Sequence, residues 1–188
     1  MNVIPVKRHN RPLMPFIPPG ISPKSLKHNQ SVIRFPNRVS RTQIYFQIEI
    51  LPSSYLDGTE KFVIPVDNPA LLGFLTSSLF AVWVKGINSN ESIPINEKSM
   101  YNSFPFPDVS KKQLSDIERA VNYVFEARAE TQFDKLVDIY MPNSMPEHLL
   151  KAHENLDRVL FDILGIPNDS NNGEILDYLF HKYLENLN

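Results

Sequence analysis

Between residues 31 and 66, apolar and polar side chains alternate with the period of two that belongs to strands. In "TQIYFQIEIL", Ile44, Phe46, Ile48 and Ile50 fall on one face, and Gln43, Tyr45, Gln47 and Glu49 on the other. "SVIRFP" before it and "KFVIPV" after the Asp57-Gly58 turn signal read as two further strands. From Asn68 the period becomes helical. Asn68 suits an N-cap and Pro69 the first helical position, and "DNPALLGFLTSSLFAVWVKG" is apolar nearly all round. That pattern predicts one buried helix, ended by Gly86 at C′.

A polar loop, "INSNESIPINEKSM", has room for a short strand and leads into "YNSFPFP", Tyr101–Pro107. Each proline lacks an amide donor and pushes its predecessor out of the α region, so Phe104 and Phe106 are predicted to be extended. The segment reads as a rigid, non-helical strap, with Tyr101, Phe104 and Phe106 as structural rings and the two phenylalanines anchored in the core. The alternative use of such rings is stacking on DNA, for which they would have to be exposed.

Three amphipathic helices follow. Ser110 with Gln113 and Ser144 with Glu147 have the spacing of capping boxes. Leu114, Ile117, Val121 and Val124 form the first apolar stripe. Leu149, His153, Leu156, Leu160 and Ile163, closed by Gly165, form the second, and Ile175, Leu179, Tyr183 and Leu187 the third. The predicted fold class is α+β: a small mixed or antiparallel β unit with one buried helix, then an α-helical C-terminal region. The predicted organisation is an irregular, proline-rich basic arm over 1–30, a β unit over 31–107 and a helical domain over 108–188.

Charge sharpens this division. Residues 1–48 hold Lys7, Arg8, Arg11, Lys24, Lys27, Arg34, Arg38 and Arg41 and no acid, whereas the remaining residues hold 11 basic and 21 acidic groups. A basic stretch without acids is the footprint of polyanion binding, and equally of a tether complementary to the acidic part. The 188 residues include no cysteine, which excludes a disulfide framework and thiolate chemistry and fits a reducing, cytoplasmic setting. No apolar run approaches the ~20 residues of a membrane span, so no membrane partner is expected.

Catalytic patterns are missing. The six glycines are scattered rather than gathered in a phosphate loop, and there is no G-x-S-x-G elbow. The five histidines lack ligand spacing, so no metal and no catalytic residue is predicted. His153 and Asp157, four apart, read as a helix-surface hydrogen bond. In "IRFPNRVSRTQIYF", three arginines interleave with aromatics, a composition suited to phosphate and guanine edges, or to a charged sheet edge that deters aggregation.

The succession "RFPNRVS", strands, "FVIPVDNPALLGFLTSSLFAVWVKG", a variable loop, "YNSFPFP", a helix ending in "EARAE", then "LVDIYMPNSMPEHLLKAHENLDRVLFDILG" and a closing helix carries a family resemblance. From about residue 30 onward, it resembles the C-terminal part of MmeI-like type II restriction-modification N6-adenine DNA methyltransferases. The resemblance implies a target recognition domain followed by a helical region. In that family S-adenosylmethionine binding and methyl transfer belong to a separate upstream domain. The N-P-P-Y or D-P-P-Y tetrapeptide of that domain is absent here, so this chain is expected to hold no cofactor and to be non-catalytic by itself. Double-stranded DNA and the upstream methyltransferase domain are the implied partners. Phosphate contacts are assigned to Lys24, Lys27, Arg34, Arg38 and Arg41. Base-reading candidates are Asn88, Asn90, Glu91 and Asn96 in the loop, with Gln43, Tyr45 and Gln47 on the polar strand face. Where the family resemblance leads one to expect an arginine in this loop, the sequence has Pro94, a departure from the family pattern. The rival reading is a protein-docking or scaffolding module with a basic tether.

Overall fold

The computed structural model describes residues 26, 30–56, 63–66, 69–94 and 98–187. Strand β1 (Ser31–Arg34) lies between β3 (Glu49–Pro52) and β4 (Ile64–Pro65), antiparallel to both. A separate antiparallel pair joins β2 (Arg38–Ser40) to β5 (Ser92–Pro94), with Val39 opposite Ile93. Among the described residues, six α-helices accompany the strands: α1 (Pro69–Thr76), α2 (Ser78–Gly86), α3 (Lys98–Ser103), α4 (Lys111–Ala129), α5 (Glu147–Leu164) and α6 (Asn172–Glu185). The fold is α+β, as the patterning predicts.

The longest alternating run departs from its pattern. Only the last three residues of "TQIYFQIEIL" are strand, as part of β3; residues 43–48 run irregularly. Gln43, Tyr45, Phe46 and Ile48 are all buried, while Ile44 is 60% exposed. A one-sided strand cannot bury consecutive residues such as Tyr45 and Phe46. Here the polar Gln43 and Tyr45 turn inward because acceptors deep in the helical layer are waiting for them.

The predicted single helix over 69–86 is two. Ser77 is extended (φ −80°, ψ 164°), and its hydroxyl donates to Phe74 O while Thr76 Oγ1 donates to Leu72 O. Such back-bonding by hydroxyl side chains competes with the helical ladder. Gly86 lies within α2 instead of capping it; a Cβ there would collide with the Leu176 side chain of α6. Its small size therefore serves the α2–α6 contact. Gly73 does the same between α1 and Ile117 of α4.

The capping box at Ser110 forms with both of its bonds, and Gly165 adopts the left-handed conformation (φ 71°) that closes α5. The box predicted at Ser144 does not form. Pro146 occupies the N-cap of α5 and no side chain caps it. Asn171 and Glu174 form a reciprocal box at α6 that the pattern reading passed over.

The strap is helical at its start, since α3 runs through Tyr101–Ser103, and it becomes irregular at Phe104, the residue before Pro105. Tyr101 and Phe104 are buried. Phe104 meets Phe80, Trp83, Phe74 and Phe106 at centroid distances of 5.5, 6.4, 6.5 and 4.8 Å. The Trp83 indole N–H donates to Ser103 Oγ at 3.3 Å. These rings join one core that continues past residue 108 into α4, α5 and α6 without a break.

Candidate nucleic-acid interface

The short β2–β5 pair places the loop 88–92 beside a group of cations. Arg41 Nη1 donates to Asn88 O at 2.6 Å, and the Arg41 amide donates to Glu91 O at 3.3 Å. Arg38 Nε donates to Ser92 Oγ at 2.7 Å and its Nη2 to Ser92 O. Within the loop, the Asn90 amide donates to Asn88 Oδ1 at 2.9 Å, a local turn of the kind asparagine favours. Asn90 and Glu91 are exposed and Asn88 is half-buried.

Lys85, in the last turn of α2, donates from Nζ to Gln43 O. Burial, and next the neighbouring Arg41, hold its ammonium below the usual lysine range. Arg38, Arg41 and Lys85 make no ion pair with a carboxylate among the described residues. Pattern reading missed Lys85, because a single lysine at a helix end is the ordinary complement to the helix dipole. Only the fold brings it beside Arg41.

The remaining predicted residues divide. Arg34 pairs with Glu49 at 2.5 Å across the β1–β3 register. Gln43 is 3% exposed, and its Nε2 donates to Tyr140 O at 3.3 Å and to Gln47 Oε1 at 3.2 Å. Tyr45 is buried and donates to Asp157. Gln47 is half-buried beside Gln43. The polar strand face on which these three were placed does not form. Lys24, Lys27 and Asn96 lie outside the described residues.

Behind this surface lies a buried polar junction. Asp157 of α5 accepts from the Tyr45 hydroxyl at 2.9 Å and from the Ser78 amide at 3.0 Å, so its carboxylate sits at the first turn of α2. Burial nevertheless pushes its acid up to about 6, against the bonds from Ser78 and Tyr45. Tyr45 is pushed far above its usual range by burial and by that carboxylate. His153, one turn earlier, stacks on Tyr45 at 4.2 Å and meets the Tyr140 hydroxyl at 2.9 Å. Arg128 donates to that hydroxyl at 2.5 Å and to Ile48 O at 2.8 Å. Burial, then the Arg128 charge, brings His153 down to about 3. The tyrosine hydroxyl thus accepts from Arg128 and donates to the neutral imidazole. His153 and Asp157 do not form the surface hydrogen bond predicted from their spacing; both are buried and bond to separate tyrosines. No group of three or more metal-ligating side chains is present among the described residues.

Comparison with known proteins gives three concordant findings. Residues 109–188 match the family described as MmeI, C-terminal domain. The chain is 27% identical over 159 residues to DNA methyltransferase A of Bacillus subtilis (strain 168), covering 84% of this chain and 18% of that protein. Its fold matches a solved structure of the type IIL restriction-modification enzyme MmeI in complex with DNA, with a TM-score of 0.78 and 23% identity. That match covers 86% of this chain and 22% of the other. The chain therefore spans about a fifth of the length of these relatives.

Proposed function

We propose, from the match of residues 109–188 to the MmeI C-terminal domain family, that the β unit preceding this region reads DNA sequence for a restriction-modification DNA methyltransferase. Phosphate contact comes from Lys24, Lys27, Arg34, Arg38 and Arg41, with Lys85 added. Base reading comes from the 88–92 loop, through Asn88, Asn90 and Glu91; asparagine matches the adenine edge and glutamate the cytosine amino group. The observation that carries this reading is the loop itself, set beside Arg38, Arg41 and Lys85, which have no carboxylate partner among the described residues. A cationic surface without internal neutralisation attracts a polyanion. The likeness to an enzyme solved in complex with DNA supports the same assignment.

Methyl transfer is placed in another domain. The sequence has neither a glycine-rich loop nor an N-P-P-Y or D-P-P-Y tetrapeptide, so its residues do not fit S-adenosylmethionine. The acidic surface of the helical region faces away from the duplex in this reading.

Fluorescence anisotropy with a random-sequence duplex tests it. Binding should weaken with salt at a log–log slope of roughly −0.9 per neutralised phosphate. Lys85→Ala should make that slope shallower. A folded chain that binds no duplex at low salt refutes the reading and favours a protein-docking module.

A further inference from the structure

We propose that Arg38 and Arg41 act as positioning residues that hold the 88–92 backbone in one pose, so that their loss changes which sequence is chosen and not merely how tightly DNA is held. This rests on the DNA reading above, and it adds to phosphate contact a second role for the two arginines.

The donors are committed to the loop. Of its five residues, Asn88 and Ser92 have their backbone carbonyls taken by the guanidinium groups of Arg41 and Arg38, and the Glu91 carbonyl is taken by the backbone amide of residue 41, a bond that does not depend on the side chain. Ser92 Oγ is taken as well, so Arg38 grips one residue with two atoms of its guanidinium. The contacts span 47 to 54 residues of sequence, so they join the loop to β2, a distant part of the chain. Lys85 secures the chain just after Arg41 by donating to Gln43 O. A loop with three carbonyls anchored from outside has few poses left. Its exposed side chains, Asn90 and Glu91, then project from a fixed backbone, which base-edge hydrogen bonding requires.

Arginine suits this role because its planar fork reaches two acceptors at once, whereas lysine is a point charge that satisfies them singly. That difference separates positioning from charge. Arg38→Lys keeps the charge and loses the two-atom grip on Ser92, and Arg41→Lys keeps the charge and replaces the directed guanidinium bond to Asn88 O by a point charge. Ser92→Ala removes an acceptor of Arg38 and alters no charge.

The experiment has two arms on the full 188-residue chain. In the first, amide hydrogen exchange is followed over residues 87–94. Arg41→Lys and Ser92→Ala should speed exchange there by roughly tenfold, the loss of one charge-assisted bond, with protection in α4 and α5 unchanged. In the second, sequences are selected from a random duplex pool. Both variants should yield a less defined site while the salt slope stays as in the unsubstituted chain. Unchanged exchange in the loop overturns the proposal without reference to DNA. Full rescue of site choice by Arg41→Lys also overturns it, because the arginine then acts as charge. Faster loop exchange in a chain that binds no duplex supports the clamp while refuting the function proposed above.

Discussion

Asp157 and His153 lie one turn apart on α5, and each is driven toward its neutral form. The acid is raised from 3.8 to about 6, and the imidazole lowered from 6.5 to about 3. Between those limits the folded pair carries one proton, on Asp157, and the unfolded pair also carries one, on His153. Equal proton counts contribute no slope of stability with pH. Asp157→Asn removes one half of this compensation. Below its ordinary pKa the unfolded His153 still takes up a proton that the folded one refuses, so the variant loses stability as pH falls, by about 1.4 kcal/mol per unit. From pH 6.5 to 4.5 that amounts to about 2 kcal/mol, since the slope is only half developed at the ordinary pKa. His153→Gln does the opposite. The raised Asp157 then contributes stability that is fully present below 3.8 and lost as pH rises through about 6, about 3 kcal/mol. Arg128, Tyr140, Tyr45 and Glu154, the groups facing the pair, remain in both variants. Urea unfolding followed by the fluorescence of Trp83, the sole tryptophan, gives the free energy at each pH. Subtracting the unsubstituted protein cancels the titration of other carboxylates. A constant offset for Asp157→Asn from about pH 7 to pH 4.5 would refute the proton accounting.

Phe104→Ala should cost about 3–5 kcal/mol, because it empties a site ringed by Phe74, Phe80, Trp83 and Phe106; an unchanged melting temperature would remove the strap's anchoring role. Gly73→Ala should destabilise by about 1–3 kcal/mol in chemical denaturation, since its Cβ would enter the space of Ile117 on α4. Arg128→Ala should cost about 3 kcal/mol in the same measurement by leaving Ile48 O and the Tyr140 hydroxyl without their buried donor. Arg34→Ala, by contrast, breaks a partly exposed pair with Glu49 and should change stability by at most about 1 kcal/mol.

Local rules were enough wherever a signal and its physical cause lay within a few residues. The Ser110–Gln113 box, the left-handed Gly165 and the buried stripes of α4 and α5 all follow from backbone donors and 3.6-residue spacing, whereas the pattern does not predict the helical start of the strap at Tyr101–Ser103. The arginines and the 88–92 loop were legible as chemistry, but not as neighbours. Gln43 and Tyr45 looked like an outward polar face, because alternation reports polarity and not which acceptors await it. Their partners, Tyr140 O and Asp157, lie 97 and 112 residues away. The division of the 69–86 helix at Ser77 likewise leaves the Ser78 amide for a carboxylate 79 residues on. Thus sequence alone determined the long C-terminal helices, the Ser110 and Gly165 caps and the identity of the charged groups, since these depend on nearest neighbours along the chain. Tertiary structure decided which polar groups were buried and which arginines were occupied, because an unpaired buried donor or acceptor is costly and the partner that relieves it can come from anywhere in the fold.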